Sequence, residues 1–361
     1  MDNKKVRVAI TQGDTNGIGY ELIFKTFSSH EMLELCTPII YGLPKVAVYH
    51  CNVLGLEANF SIIKDLSEVE DNRINLIPIF DEEQKVEMGH PTEESGVAGL
   101  RAIDYAINDF KNGGFDAMVL SPIENTDVFQ FSGQIQYIED HLSIDQDSLF
   151  MLINNFMRIG FITQSIPLNT VTEMISAEKI YLKGKQMFDS IRSDFRISNP
   201  RIAVLSINPR AGENGHLGTE EKELITPAID KLVENGMQVF GPYAADKFFG
   251  GNDWDKFDGI LAMYYDQGYI PFRSLSTQGS IGYMAGMPLI VTLPATLYTN
   301  YDAGKGIVDE QSMRQAIYTS IDIYRNRITY NEPLANPLEK LYKEHKDEND
   351  KTRFSHYKHT E

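Results

Sequence analysis

RIAVLSINPRAGENGHLGTEE, residues 201–221, is the stretch on which the reading of this chain turns. Residues 201–209 are a β-branched, apolar run ending in Asn-Pro, the pattern of a buried strand stopped by a proline. Gly212, Gly215 and Gly218 give the backbone freedom for a tight loop. Thr219, Glu220 and Glu221 then predict a helix start with a capping hydroxyl and acidic residues at the positive dipole end. Leu224, Ile225, Ala228, Ile229 and Leu232 follow at helical spacing, and Gly236 closes the segment. A strand, a glycine loop and a helix N-terminus together form an anion-binding geometry, because free backbone N–H groups point outward there. The same sequence also serves as an ordinary strand-to-helix turn, so alone it fixes topology and not chemistry.

The alternation continues along the chain. VRVAITQG (6–13), TPIIYG (37–42), FDAMVLSPI (115–123) and FDGILAMYYD (257–266) read as strands. ELIFKTF, LPKVAVYHCNVLG, the segments 94–110 and 309–324, and the segment after Thr219 read as helices. This predicts an α/β architecture with a largely parallel sheet. SLFMLINN and MRIGFITQSIPL, separated by Asn154 and Asn155, read instead as an antiparallel pair. Residues 1–337 are expected to form one two-lobed unit and 338–361 a charged tail.

Composition narrows the classes. A chain of 361 residues with 42 % hydrophobic and 11 % aromatic content can bury a large core. No apolar run is long enough to span a bilayer, and MDNKKVRVAI lacks the apolar segment of a signal peptide, so a cytoplasmic location is expected. A formal net charge of −18 argues against nucleic acid and anionic membrane as partners. Cys36 and Cys51 have no metal-ligand spacing and read as buried thiols.

Further loops at strand ends have the character of a ligand site. TQGDTNGIG (11–19) places Asp14 among glycines without a GxGxxG match. MYYDQG (263–268) puts Asp266 at a predicted strand tip, where open α/β sheets bind ligands. AADKFF (244–249) offers Asp246, and DAGKGIVD (302–309) a glycine and lysine loop. Each alone is also an ordinary turn.

Together and in this order, TQGDTNGIG, the SPI at 121–123, NPRAGENGHLGTEE, GPYAADKFF, AMYYDQG, GMP at 286–288 and AGKG at 303–306 resemble the 4-hydroxythreonine-4-phosphate dehydrogenase family of vitamin B6 biosynthesis. The resemblance runs from about Val6 to Arg327. It implies a two-lobed fold like that of isocitrate and isopropylmalate dehydrogenases, with a cleft between the lobes lined by segments 11–19, 121–140, 163–168, 208–219, 244–249, 263–273 and 286–306. It also implies a homodimer, and NAD-dependent oxidation of a phosphorylated hydroxy amino acid with a divalent metal as Lewis acid.

Several positions depart from the family pattern. The family's metal-holding histidines fall on Ser165, Arg210 and Tyr265. Serine is a weak ligand, arginine a permanent cation, and tyrosine binds metal only after losing a proton. A guanidinium about 5 Å from a dication would cost about 6 kcal/mol at an effective dielectric near 20. Of the chain's 8 histidines, only His141 and His216 lie between residues 91 and 344. On the substrate side the family's polar positions become Asn125, Gln134, Gly282, Met284 and Val291, while a lysine becomes Arg273. A DHGTA-like cofactor segment becomes ATLYT (295–299), leaving Gly304 and Gly306 as the remnant of the NAD loop. Asp246 and Asp266 match family positions that approach substrate and are the catalytic candidates. Arg210, Arg273 and Gln134 are candidates for contacting a small phosphorylated or other anionic ligand. The expected protein is a family member without the metal site: a binding or partner subunit, as a homodimer or paired with an active paralogue. The alternative is an enzyme with altered substrate or a metal-free mechanism.

Overall fold

The computed structural model describes residues 5–81, 84–124, 133–142, 147–275 and 279–335. Asn125 and the tail from 338 onward lie outside the described residues.

Among the described residues twelve strands share one sheet: β1 (Val6–Thr11), β2 (Cys36–Gly42), β3 (Ser61–Ile62), β4 (Asn75–Pro78), β5 (Ala117–Val119), β6 (Leu149–Ile153), β7 (Arg158–Phe161), β8 (Arg201–Leu205), β9 (Gln238–Tyr243), β10 (Gly259–Ala262), β11 (Ile281–Ala285) and β12 (Val291–Pro294). Their order is β3-β4-β2-β1-β5-β12-β11-β6-β7-β10-β8-β9. The run from β3 to β12 is parallel throughout, as is the run from β7 to β9. Three antiparallel pairings, β12 with β11, β11 with β6 and β6 with β7, join the two parallel halves. The Asn154–Asn155 hairpin expected from sequence is therefore the seam of the molecule.

Parallel strands are covered by helices on both faces, so their side chains are apolar on both sides. Accordingly β2 is buried at every position, and the Val, Ile and Ala run of β1 is buried almost throughout. Helix Glu93–Lys111 packs Leu100, Ile103 and Ile107 inward and starts with a capping box between Thr92 and Ser95. Helix Gln311–Ala335, longer than its apolar pattern predicts, buries Met313, Ile317 and Ile321.

Two local expectations need correction. The predicted strand through Asp266 stops at Ala262, and Tyr265–Leu275 is a helix, so Asp266 lies in a first helical turn. Gln267 is the cause: its Oε1 accepts from Met263 N at 2.7 Å and its Nε2 donates to Ser206 O, turning the chain at the ends of β10 and β8. The Thr219 hydroxyl caps no helix. The segment begins as a π-turn at Glu221–Ile225 without a side-chain cap and becomes α-helical at Thr226–Glu234.

Candidate functional site

The NPRAGENG loop is a left-handed turn. From Arg210 to Gly215 every φ is positive, at 53°, 52°, 73°, 44°, 61° and 95°. Arg210, Ala211, Glu213 and Asn214 carry a Cβ, and such residues pay roughly 1–2 kcal/mol each in this region. The turn is held by Glu221, whose side chain is buried. Its Oε1 accepts from Ile207 N at 2.9 Å and Asn208 N at 2.7 Å, and its Oε2 from Asn208 Nδ2 at 3.0 Å. Glu220 Oε2 accepts from the same amide at 2.7 Å. A Cβ at Gly212 would stand 2.5 Å from Glu221 Oε2, so glycine is required for closeness as well as for conformation.

Arg210 points away from the turn's interior. Its side chain is 60 % exposed, and its guanidinium pairs with Glu213 at 3.2 Å, three residues along the left-handed turn. The repulsion expected between this cation and a bound metal is weakened accordingly, because the charge is solvated and paired.

Ser165, Tyr265 and Asp266 come together as lining of one cavity of about 320 Å3. Arg210 and Asp246 do not line it; Asp246 is exposed in the first turn of helix Ala245–Gly250. The ring of Tyr265 stacks on Tyr269 at 4.3 Å between centroids and 14° between planes. Burial, the neighbouring Tyr269 and the carboxylate of Asp266 push its phenol up to about 12, so it is neutral at physiological pH. Among the described residues no group of three or more His, Cys, Asp and Glu side chains is placed to hold a metal ion.

The other candidates are engaged with backbone. Arg273 donates to Ala295 O at 2.6 Å and Thr296 O at 3.3 Å, with its guanidinium 5.4 Å from the centre of the Tyr269 ring. It grips the ATLYT segment rather than presenting a free cation. Gln134 donates to Ser121 O at 2.8 Å, tying helix Gln134–Leu142 to the strand end at SPI. Gly282, Met284 and Val291 are fully buried in the sheet. A Cβ at Gly282 would meet Phe150 Cε2 at 2.7 Å and Leu293 Cδ2 at 2.8 Å, so apolar side chains fill that position.

Gly304 and Gly306 have φ of 75° and 71°. Their loop is clamped by a pair that sequence reading passed over as one helix turn. Lys25 Nζ donates to Gly306 O at 2.9 Å, Val308 O at 2.7 Å and Glu21 Oε1 at 2.8 Å, and Glu21 also accepts from Val308 N. Asn300 was also missed. Its amide donates to Asp14 Oδ2 at 3.0 Å, joining the ATLYTN segment to TQGDTNGIG. Burial raises Asp14 above the usual carboxylate range despite hydrogen bonds to Ser95, Asn16 and Asn300. A Glu at i and Lys at i+4 was the only visible signal for the clamp; nothing local marked Asn300.

A mostly parallel α/β sheet with loops at its strand ends lining a small cavity is a frame on which ligand-binding enzymes are built. The chain belongs to the PdxA family: the family described as pyridoxal phosphate biosynthetic protein PdxA matches residues 34–320. It is 46 % identical over 359 residues to the 4-hydroxythreonine-4-phosphate dehydrogenase of Bacteroides thetaiotaomicron, covering 98 % of each chain. With the enzyme of that name from Sulfurihydrogenibium sp. the identity is 32 % over 327 residues, covering 89 % of this chain and 99 % of the relative. Among solved structures, the 4-hydroxythreonine-4-phosphate dehydrogenase of Klebsiella pneumoniae superposes with a TM-score of 0.76 at 25 % identity, covering 90 % of this chain and 99 % of that one. No helix among the described residues is long and apolar enough to cross a membrane.

Proposed function

We propose that this PdxA-family chain does not oxidise 4-hydroxythreonine 4-phosphate by the metal-dependent route its relatives' names imply, and acts instead as a ligand-binding or partner subunit. The observation that carries this reading is the donor set where the resemblance puts the metal. Ser165 offers an exposed neutral hydroxyl, Tyr265 a phenol protonated up to about pH 12, and Arg210 a cation turned outward to Glu213. A dication needs strong donors such as carboxylates, thiolates or neutral imidazoles, and among the described residues of that cavity Asp266 alone is one, beside the weak neutral oxygens of Gln164 and Ser165. These residues do not fit a divalent metal. The apolar packing around Gly282 and the engagement of Arg273 by backbone carbonyls further support a changed substrate side.

NAD is the cofactor the family resemblance implies, and Gly304 and Gly306 are the residues of this chain that would face it. A partner role would use a dimer surface, in a homodimer or beside an active relative. Phe156, 64 % exposed at the turn between β6 and β7, is an apolar contact available to such a partner. A second reading, an enzyme working without metal through Tyr265, Asp266 and Arg210, is favoured only by the shared cavity of the first two.

The test is NADH formation from 4-hydroxythreonine 4-phosphate and NAD, with Zn2+, Mg2+ or Mn2+ supplied and then chelated, alongside metal analysis of the purified protein. No turnover above background and less than stoichiometric metal are expected. Robust turnover abolished by chelator would sink the proposal.

A further inference from the structure

We infer that the cavity between Ser165 and the Tyr264–Asp266 turn binds an organic cation, an aromatic or alkyl ammonium. This rests on the reading that no metal is held at these positions, and it names the ligand class that replaces the metal. The cavity of about 320 Å3 falls at the lower end of the range for small-molecule sites. Ile166, Leu168 and Val171 give it apolar walls, Tyr264 and Tyr265 aromatic ones, and Gln164 and Ser165 are uncharged. The remaining lining residue, Asp266, is the sole carboxylate among the described residues of the lining, which include no lysine, arginine or histidine.

Three features of the surroundings favour a cation. First, Tyr265 stacks on Tyr269, which in turn lies 5.4 Å from the Arg273 guanidinium, so the ring is fixed in place while 39 % of the residue stays exposed. A fixed aromatic ring beside a carboxylate attracts an ammonium through both the ring quadrupole and Coulomb attraction. Second, Arg210 pairs with Glu213, and Arg273, although its charge reaches the Tyr265 phenol, is held by the carbonyls of Ala295 and Thr296 outside the cavity lining. An adjoining cavity, which shares Gln164, Ser165 and Ile166, does contain Lys179 and Lys183, but Glu139 and Asp147 offset them there. Lys183 Nζ is also tied to the carbonyl oxygens of Asp147 and Ser148. Third, a chain of net charge −18 raises the local concentration of cations and disfavours phosphorylated acids.

The experiment is calorimetric titration of the full-length protein with three benzyl probes of different charge: benzyltrimethylammonium, benzyl alcohol and benzylphosphonate. The ammonium is expected to bind about tenfold or more tightly than the other two, and to weaken by about tenfold in Asp266→Asn and in Tyr265→Leu. Asp266 is exposed, so the first variant keeps the fold, and an unchanged melting temperature verifies this for both. Equal affinity for benzyl alcohol or benzylphosphonate overturns the inference, as does unchanged ammonium binding in Asp266→Asn. Parallel titrations with Zn2+ and Mn2+ separate the two levels. Tight metal binding that Asp266→Asn abolishes would defeat the metal-free reading itself, whereas absence of both metal and ammonium binding would defeat only the present inference.

Discussion

Arg327 Nε lies 2.8 Å from Asp194 Oδ1, a contact that ties the last long helix to helix Ala177–Asp194 across the edge of β11. The carboxylate is 1 % exposed and also accepts from the hydroxyl of Tyr283, which in turn accepts from Arg327 Nη2 at 2.9 Å. Arg327 Nη1 donates to Met287 O and Pro288 O, so the same guanidinium fixes the GMP turn. Every member has a partner, which is the condition under which a buried charge is tolerated.

Removing one partner leaves the other charged and buried. Asp194→Ala is expected to lower unfolding free energy by about 3–5 kcal/mol, read from urea denaturation midpoints at constant slope. Tyr283→Phe, which leaves the ion pair intact, should cost about 1–2 kcal/mol. Equal losses from the two variants would show that the ion pair is not the organising contact.

Glu221 is expected to behave as a positioning residue for the left-handed loop. Glu221→Gln keeps size but replaces one acceptor oxygen with a donor, so either Ile207 N and Asn208 N lose their acceptor or Asn208 Nδ2, which keeps Glu220 Oε2, faces a second donor. The expected cost is about 1–3 kcal/mol. Amide hydrogen exchange at residues 207–218 should rise more than exchange in β8, because the strained backbone of Arg210, Ala211, Glu213 and Asn214 relies on Glu221 while β8 is held by its strand neighbours.

These two networks also mark where sequence reading succeeds and where it stops. The strand and helix around 201–236 were legible because β-branched runs, proline and glycine act locally, and so did the Asn154–Asn155 hairpin. The handedness of the turn at 210–215 was not, because it opposes the intrinsic preference of four residues and is supported by Glu221 from outside. Likewise the helix at Tyr265 was hidden, since Gln267 ends β10 through Ser206, 61 residues away in sequence. Arg273 read as an anion contact because it stands where the family has a lysine. The two main-chain carbonyls it meets here, of Ala295 and Thr296, have no sequence signature.

His50 gives a pH dependence. It is fully buried, and Nε2 lies 2.8 Å from Thr15 O, which makes Nε2 the protonated nitrogen and leaves Nδ1 without a hydrogen-bond partner. Burial lowers its pKa below the ordinary histidine value. The folded state therefore disfavours protonation, and the unfolded chain takes up the proton first. Above about pH 6.5 the residue contributes no pH dependence; as pH falls below that, stability is lost by up to about 1.4 kcal/mol per unit until the folded pKa is reached. Melting temperatures from pH 7.5 to 5 should fall more steeply for the native chain than for His50→Gln. Parallel slopes would show that other groups set the acid limit.

Gly282 tests whether the family's polar substrate position has become core. Its site lies on β11 between Phe150 of β6 and Leu293 of β12, and both side chains stand within 2.8 Å of where a Cβ would sit. Placing an asparagine there, a polar side chain of the kind the resemblance implies at this position, would force these groups apart and bury an amide among apolar neighbours. Overpacking of this kind costs about 1–3 kcal/mol, and an unpaired buried amide adds a similar amount. Gly282→Asn should therefore destabilise the fold and confer no binding of 4-hydroxythreonine 4-phosphate, read together from thermal melts with and without the compound. A stable variant whose melting temperature rises with it would mean that the cleft still has room for the family's ligand, and that Phe150 and Leu293 yield to it.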